Sequence, residues 1–223
     1  YFHKDLVLFN EKVDGVEITT SQPLFKLIHL SGAHAPYLLD SSLKWGQADY
    51  LEQAAGSLLP IKKLLKELID AGVYDDSLII ILSDHGNNEN ENSSDFPLSN
   101  YARPLLLAKS RGQQFAETQV SSAPVTLGDL PQTIASETGM DASYPGYSIF
   151  DEIPENRIRS YYYYTWGHEN WEVEYMPTMY EFEVSGPANL PASWKYIGQY
   201  SEGNFFGEND FENSEKYNRL MGR

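Results

Sequence analysis

The chain has 223 residues, 41% apolar and 13% aromatic, enough to bury a sizeable core and unlike a disordered segment. Its formal net charge of −16 repels nucleic acid and anionic lipid, so a small anionic substrate needs a local cation to approach it. Cysteine is absent, which excludes disulfides and thiolate-bound zinc, and no run approaches the ~18 apolar residues of a membrane span.

Tyr1 rather than Met opens the chain, inside the apolar-patterned run YFHKDLVLF, which predicts an excised piece or processed product. Residues 24–31, LFKLIHLS, form a short apolar run closed by Gly32 and predict a buried strand. Gly and Pro in SGAHAPY (31–37) then predict a loop. Between about Trp45 and Ala71, Leu51, Ala54, Leu58, Ile61, Leu65 and Leu68 recur at helical steps. Pro60 inside this pattern predicts a kink or a division into two helices, and Gly72 predicts the stop. After a short turn, SLIIILS (77–83) is a continuous β-branched run, the pattern of a strand covered on both faces by helices. Strand, long helix and strand in that order predict a parallel crossover unit.

NNENENSSD (87–95) is polar and acidic and predicts a mobile loop. PLLLAKS (104–110) predicts another strand, and Asp129–Thr138 a short helix with Pro131 in its first turn and Gly139 past its end. Residues 1–156 therefore read as α/β. From residue 157 the chain turns β-rich in RIRSYYYYTW, WEVEYM, MYEFEVSG and SWKYIGQY. Tyr180, Phe182 and Val184 alternate with Glu181 and Glu183, as in a half-buried strand. Residues 157–223 are accordingly predicted as a small antiparallel subdomain with an irregular tail after Ser201. Half of the run Tyr161–Tyr164 packs and half faces solvent on that reading; with Trp166 it could instead form a glycan-binding surface.

In open parallel sheets, ligands bind at the carboxyl ends of strands. Asp84 and His85 stand there, directly after the run 77–83, and Gly86 permits a sharp turn beside them. A carboxylate and an imidazole so placed can share one divalent cation or two closely spaced ones. Mixed oxygen and nitrogen ligation suits zinc or manganese better than calcium. The plainer alternative is that Asp84 caps a turn and His85 packs.

LIDAGVYDDSLIIILSDHG resembles a segment of the sulfatase and alkaline-phosphatase superfamily. There a helix, a G-x-Y-D-(D/N)-(S/T) turn and a buried strand deliver Ser-Asp-His-Gly to a metal site. FKLIHLSGAHAPY is similar to the family's strand and His-x-Pro-Tyr loop, which brings a histidine to the substrate. The helix between them opens with Tyr-Leu-x-x-Ala (50–54), as the family's does. Further on, YARPLLLAK resembles its Arg-Pro-Leu strand, VTLGDLPQTIASETG its Asp-Leu-x-Pro-Thr-Ile helix and YPGYSIF its Gly-x-Ser-Leu turn. The matches fall in family order over residues 24–150.

The resemblance implies an alkaline-phosphatase-like α/β fold, a mostly parallel sheet flanked by helices. It implies Asp84 and His85 as metal ligands, with zinc or manganese the first candidates and calcium or magnesium further ones. It implies that His34 contacts the phosphoryl or sulfuryl group or protonates the leaving oxygen, with Tyr37 and Arg103 also binding substrate. For Arg103 a structural salt bridge competes with that role. His29, inside the apolar run, reads as a core or supporting residue. His168 in TWGHENW could line a substrate edge or simply pack, and His3 has no supporting context.

The chain departs from the family pattern in two places. Sulfatases carry a Cys or Ser nucleophile in a C/S-x-P-x-R context N-terminal to these motifs, and the related phosphotransferases a Thr or Ser. Here cysteine is absent, SAPVT (122–126) lacks the arginine, and Thr19-Thr20 lacks preceding acids, so the sequence resembles the C-terminal part of a longer enzyme. Asn87 stands where relatives often carry Glu or Asp, and 87–110 contains no second histidine. The pattern points toward the extracytoplasmic phosphoethanolamine or phosphoglycerol transferases, which N-terminal helices anchor in the cell membrane. The partner is then a small anionic ester or lipid head group, not nucleic acid, and the membrane is reached only through N-terminal segments. A non-catalytic sulfatase-like binding or regulatory module is the alternative. A calcium-binding surface domain ranks third, since neither 84–95 nor 201–213 has EF-hand spacing.

Overall fold

A computed structural model describes residues 3–15, 17, 19, 22–87, 102–114, 117–164, 178–201 and 204–207. The chain divides into two compact units, Tyr1–Ser77 with Arg111–Gln114 and Leu78–Ser110 with Phe115–Arg223. WEVEYM, Trp166, His168, Thr20 and all but Asn87 of the predicted loop 87–95 lie outside the described residues; so does the predicted irregular tail after Ser201, except that residues 204–207 form a strand.

In the first unit, helix α1 (Lys4–Lys12) buries Leu6 against Leu39 and Leu43. Helix α2 (Tyr50–Asp70) starts where Asp49 and Glu52 form a reciprocal capping box: Asp49 Oδ1 accepts the Glu52 N–H at 2.8 Å, and Glu52 Oε2 accepts the Asp49 N–H at 3.1 Å. The helix ends at Ala71 and Gly72, where Val73 N–H donates to the Leu68 carbonyl at 3.0 Å. Of the two outcomes expected at Pro60, a kink or a division, the division does not occur: the helix runs through it. The buried face of α2 is Gln53, Gly56, Ser57 and Pro60, a stripe at helical spacing made of small or backbone-seeking residues. It meets the backbone of the turn 40–43 so closely that a Cβ on Gly56 would lie 2.5 Å from the Asp40 carbonyl oxygen. Pro60 lacks the N–H that would have reached the Gly56 carbonyl. Of the apolar stripe read from the sequence, Leu51 is 63% exposed and Leu58 48%, while Ala54, Ile61, Leu65 and Leu68 are half-buried.

The predicted strand over 24–31 does not form. Residues 24–30 carry no strand pairing among the described residues, and Phe25 and Leu27 are 72% and 83% exposed. An apolar run becomes a strand only when a neighbour takes its N–H and C=O groups, and none of the described residues does so.

In the second unit, β1 (Ile79–Leu82) pairs antiparallel with β2 (Leu106–Lys109), from Ile79↔Lys109 to Leu82↔Leu106. No β1 side chain is fully buried. The parallel crossover and the mostly parallel, helix-covered sheet are not seen among the described residues, where every pairing is antiparallel. A continuous β-branched run specifies a strand, but neither its direction nor its cover. Helix α3 (Leu130–Thr138) has Pro131 in its first turn and Gly139 at its end, as predicted.

The β-rich region forms one antiparallel sheet in sequence order: β3 (Ile158–Tyr164), β4 (Met179–Ser185), β5 (Trp194–Ser201) and β6 (Asn204–Gly207). Period-two alternation buries Tyr180, Phe182 and Val184 with Trp194 and Tyr196, and Tyr161 and Tyr163 pack against them. Tyr162 points the other way, where its hydroxyl and that of Tyr200 donate to the Glu181 carboxylate at 3.2 and 2.9 Å.

Arg157, just before β3, ties this sheet to α3. Its Nη1 and Nη2 each lie 2.7 Å from an oxygen of the fully buried Asp129, and its guanidinium stacks 4.9 Å from the Tyr147 ring centre. Asp129 also accepts the N–H groups of Tyr147 and Thr126. Gly146, at φ 110°, leaves room for this carboxylate; a Cβ there would lie 2.5 Å from Asp129 Oδ1. Burial alone would push the Asp129 carboxyl up, but the Arg157 guanidinium and the Tyr147 and Thr126 N–H groups outweigh it and hold it below the usual carboxylate range.

Gly56→Ala sets a helix-propensity gain of about 1 kcal/mol against a clash costing about 1–3 kcal/mol. The clash is with backbone, which cannot turn aside, so a lower Tm in thermal unfolding is expected. Asp129→Asn leaves the Arg157 charge without its counter-ion and is expected to cost about 3–5 kcal/mol in denaturant unfolding. Because the folded carboxyl titrates below its unfolded value of ~3.9, its stabilisation is complete above about pH 4 and is lost as pH falls through the folded value. Wild-type stability should therefore drop more steeply on acidification than that of Asp129→Asn.

Candidate functional site

His34 and Tyr37 belong to the first unit; Asp84, His85 and Arg103 belong to the second. The segment around His34 is rich in small residues (Ser31, Gly32, Ala33, Ala35) and cannot fix its shape by side-chain packing. Polar side chains from α1, α2 and their flanks hold its backbone instead. Gln53, fully buried, accepts the N–H groups of Leu38 and Leu39 on Oε1 at 2.8 and 3.2 Å, and its Nε2 donates to the carbonyls of Gly32 and His34 at 3.2 and 2.9 Å. His3, 1% exposed, places Nδ1 2.9 Å from Ser31 Oγ and Nε2 2.9 Å from the Pro36 carbonyl. Asp5 accepts both the N–H and the hydroxyl of Ser31 at 2.6 and 2.7 Å. Burial pushes the Asp5 carboxyl up, but these Ser31 bonds, with the N–H groups of Leu6 and Asp5, hold it below the usual range.

Asp5, Ser31 and His3 are the residue types of a hydrolytic triad, in the wrong order. A catalytic histidine sits between serine and carboxylate and takes the serine's proton. Here the serine is in the middle and gives its proton to Asp5. The cluster shapes the loop.

His34 is exposed, and its Nδ1–H donates to the Ala35 carbonyl, which makes Nε2 the nitrogen that can accept or deliver a proton outward. Tyr37 packs its ring edge-on against Tyr50, 5.9 Å between centres. His29 is exposed, not the core or supporting residue its apolar surroundings predict, and residues 24–29 are all exposed with it.

At the end of β1, Ser83 N–H donates to the Leu105 carbonyl at 3.1 Å, and Leu105 N–H to Ser83 Oγ at 2.8 Å. This closing pair sets the backbone just before Asp84 and His85; Arg103, exposed, stands two residues beyond it on the other chain segment. Asp84 Oδ1 accepts the His85 N–H at 3.0 Å, and the two side chains are 89% and 57% exposed. His85 Nδ1 lies 2.6 Å from the Gly86 carbonyl, which can only accept, so Nδ1 carries the proton and Nε2 presents its lone pair. That nitrogen is 3.8 Å from Asp84 Oδ2. The separation is less than twice a zinc–ligand bond of ~2.1 Å, so one cation can touch both atoms without either moving. The pair fits a divalent ion in donor type, tautomer and spacing. No group of three or more acidic or imidazole side chains that could hold a metal occurs among the described residues.

A protein-family model described as Sulfatase matches residues 1–140. The match covers more than half of the chain, which is a member of the sulfatase family. No curated protein and no solved structure matches it. Members of this family are generally enzymes, and divalent metals are common among them.

Three features of the site escape sequence reading: His3, Asp5 and Gln53. A usable signal exists for Gln53, since Gln53, Gly56, Ser57 and Pro60 recur at helical steps, and small or backbone-seeking residues in that rhythm mark a helix face laid against backbone.

The His85 geometry has a direct check. Long-range 1H–15N spectra are expected to show the Nδ1–H tautomer, and a dominant Nε2–H form would remove the nitrogen assigned to the cation.

Proposed function

We propose that this chain carries the metal-binding and anion-binding residues of a sulfatase-family hydrolase or transferase acting on phosphate or sulfate esters, with phosphoethanolamine or phosphoglycerol transfer favoured. The observation that carries the reading is the Asp84–His85 pair, with its tautomer set and its donor atoms 3.8 Å apart, in a member of this family. Zinc or manganese suits one carboxylate and one imidazole best. Bound there, a divalent ion supplies the positive charge that a formal −16 chain otherwise lacks for a tetrahedral anion. His34 offers Nε2 to a nonbridging oxygen or to the leaving oxygen, and Arg103 a guanidinium to the anion. Tyr37, held against Tyr50, lines the loop on which His34 stands. The nucleophile is assigned to none of these residues. The transferase preference rests on His34-Ala35-Pro36-Tyr37 and on the lack of a sulfatase nucleophile signature, and with it goes an extracytoplasmic, membrane-anchored setting and a lipid head group as partner.

The test uses the protein as its gene encodes it, with an aryl phosphate and an aryl sulfate as substrates. Chelation is expected to abolish turnover and zinc or manganese to restore it. Asp84→Ala and His85→Ala are each expected to lower kcat/KM by about 100-fold or more. Unchanged kcat/KM in either variant, with the metal requirement intact, contradicts the assignment.

A further inference from the structure

We propose that Gln53 is the positioning residue of the His34 loop, one carboxamide that determines where the imidazole stands. The proposal rests on His34 being a group that meets the ester, and it adds the residue through which α2 controls that group.

A carboxamide has two N–H donors and two acceptor lone pairs. Gln53 turns them to the loop: the carbonyls of Gly32 and His34 take its protons, and the N–H groups of Leu38 and Leu39 fill its oxygen, while its Nε2 also lies 3.2 Å from Nε2 of His3. It does for this segment what a neighbouring strand does in a sheet, bonding backbone on both sides of the turn at His34 to Pro36. One of the four bonds ends on the carbonyl of His34 itself, at 2.9 Å, so a shift of the amide is transmitted to that residue with nothing between. His3 and Asp5 hold the entry of the loop at Ser31, and His3 also holds its middle at Pro36. Gln53 spans entry, His34 and exit.

Chemistry at a bound ester is sensitive to such placement, since a misplacement of about 1 Å costs on the order of 100-fold in rate. Shape alone does not replace the amide. Leucine fills the space with no polar atom. Glutamate keeps the shape and both acceptors but, when ionised, turns a negative oxygen toward two carbonyls; when protonated it regains a single donor.

Gln53→Glu is therefore a lesion that pH can partly reverse. In the full protein it is expected to lower kcat about 10–100-fold at about pH 8, with KM little changed. Relative to wild type at the same pH, turnover should recover toward about pH 5 as the glutamate takes up a proton. Ser57→Ala, a buried neighbour on the same stripe, should leave turnover unchanged. Gln53→Leu is read by hydrogen exchange and imidazole NMR: the Leu38 and Leu39 amides should lose protection and the His34 ring resonances should move. Wild-type turnover in folded Gln53→Glu at both pH values overturns the proposal, as does a loss that does not recover on acidification. If His34→Ala leaves turnover intact, it is the reading of His34 that fails. In that case the exchange and imidazole measurements still decide whether Gln53 places the loop, and unmoved His34 resonances in Gln53→Leu say that it does not.

Discussion

A backbone folded away from water must have its N–H and C=O groups met by something, and in the first unit that requirement falls on very few side chains. The segment from Ser31 to Leu39 lies in neither helix nor continuous sheet, and its first part, with Ser31, Gly32, Ala33 and Ala35, has little side chain to pack. Its shape comes from polar groups brought in from α1 and α2, chiefly the Gln53 amide. The rest of the unit is arranged to bring that amide close. Gly56 lets α2 approach the turn at Asp40, the capping box at Asp49 sets the start of the helix, and Leu6, Leu39 and Leu43 form the small apolar cluster beside it.

The second unit meets a related need with charge. A fully buried carboxylate is costly unless its lone pairs are taken, and Asp129 has a two-pronged Arg157 and two backbone N–H groups. Helix α3, the turn at Gly146 and the first strand of the antiparallel sheet are thereby fastened at one point. Removing one partner leaves the other exposed to the full desolvation cost, so such a pair holds three elements together more firmly than its net contribution to stability suggests.

Much of the local structure was legible in the residues. Alternation in MYEFEVSG marks β4, Pro131 and Gly139 bound α3, and Gly72 ends α2. Strand direction was not legible, because SLIIILS has the same composition in any buried strand, and only the helix before it suggested a parallel partner. The face of α2 was misjudged for a physical reason: apolar periodicity finds faces that meet side chains, whereas this face meets backbone, where small and amide side chains serve better. At the site, Asp84 and His85 could be placed at a strand end from the local pattern alone. The cluster that supports His34 could not, since it joins residues 28 and 50 positions apart, such as His3 with Ser31 and with Gln53, and nothing local in the sequence signals such a meeting. His34 and His85 use one device, an Nδ1–H given to the next residue's carbonyl, which leaves Nε2 as the nitrogen that can take a ligand or a proton.

Gly146 carries a consequence for how this sequence can vary. Its φ of 110° is closed to ordinary side chains, and the volume a Cβ would need is already taken by Asp129 Oδ1. Position 146 is thus barred from drifting by two separate causes, one in its own backbone and one in its neighbour's carboxylate. Relieving only one changes nothing. Positions 129, 146 and 157 therefore form a set that evolution can keep or discard together, but cannot trade one residue at a time.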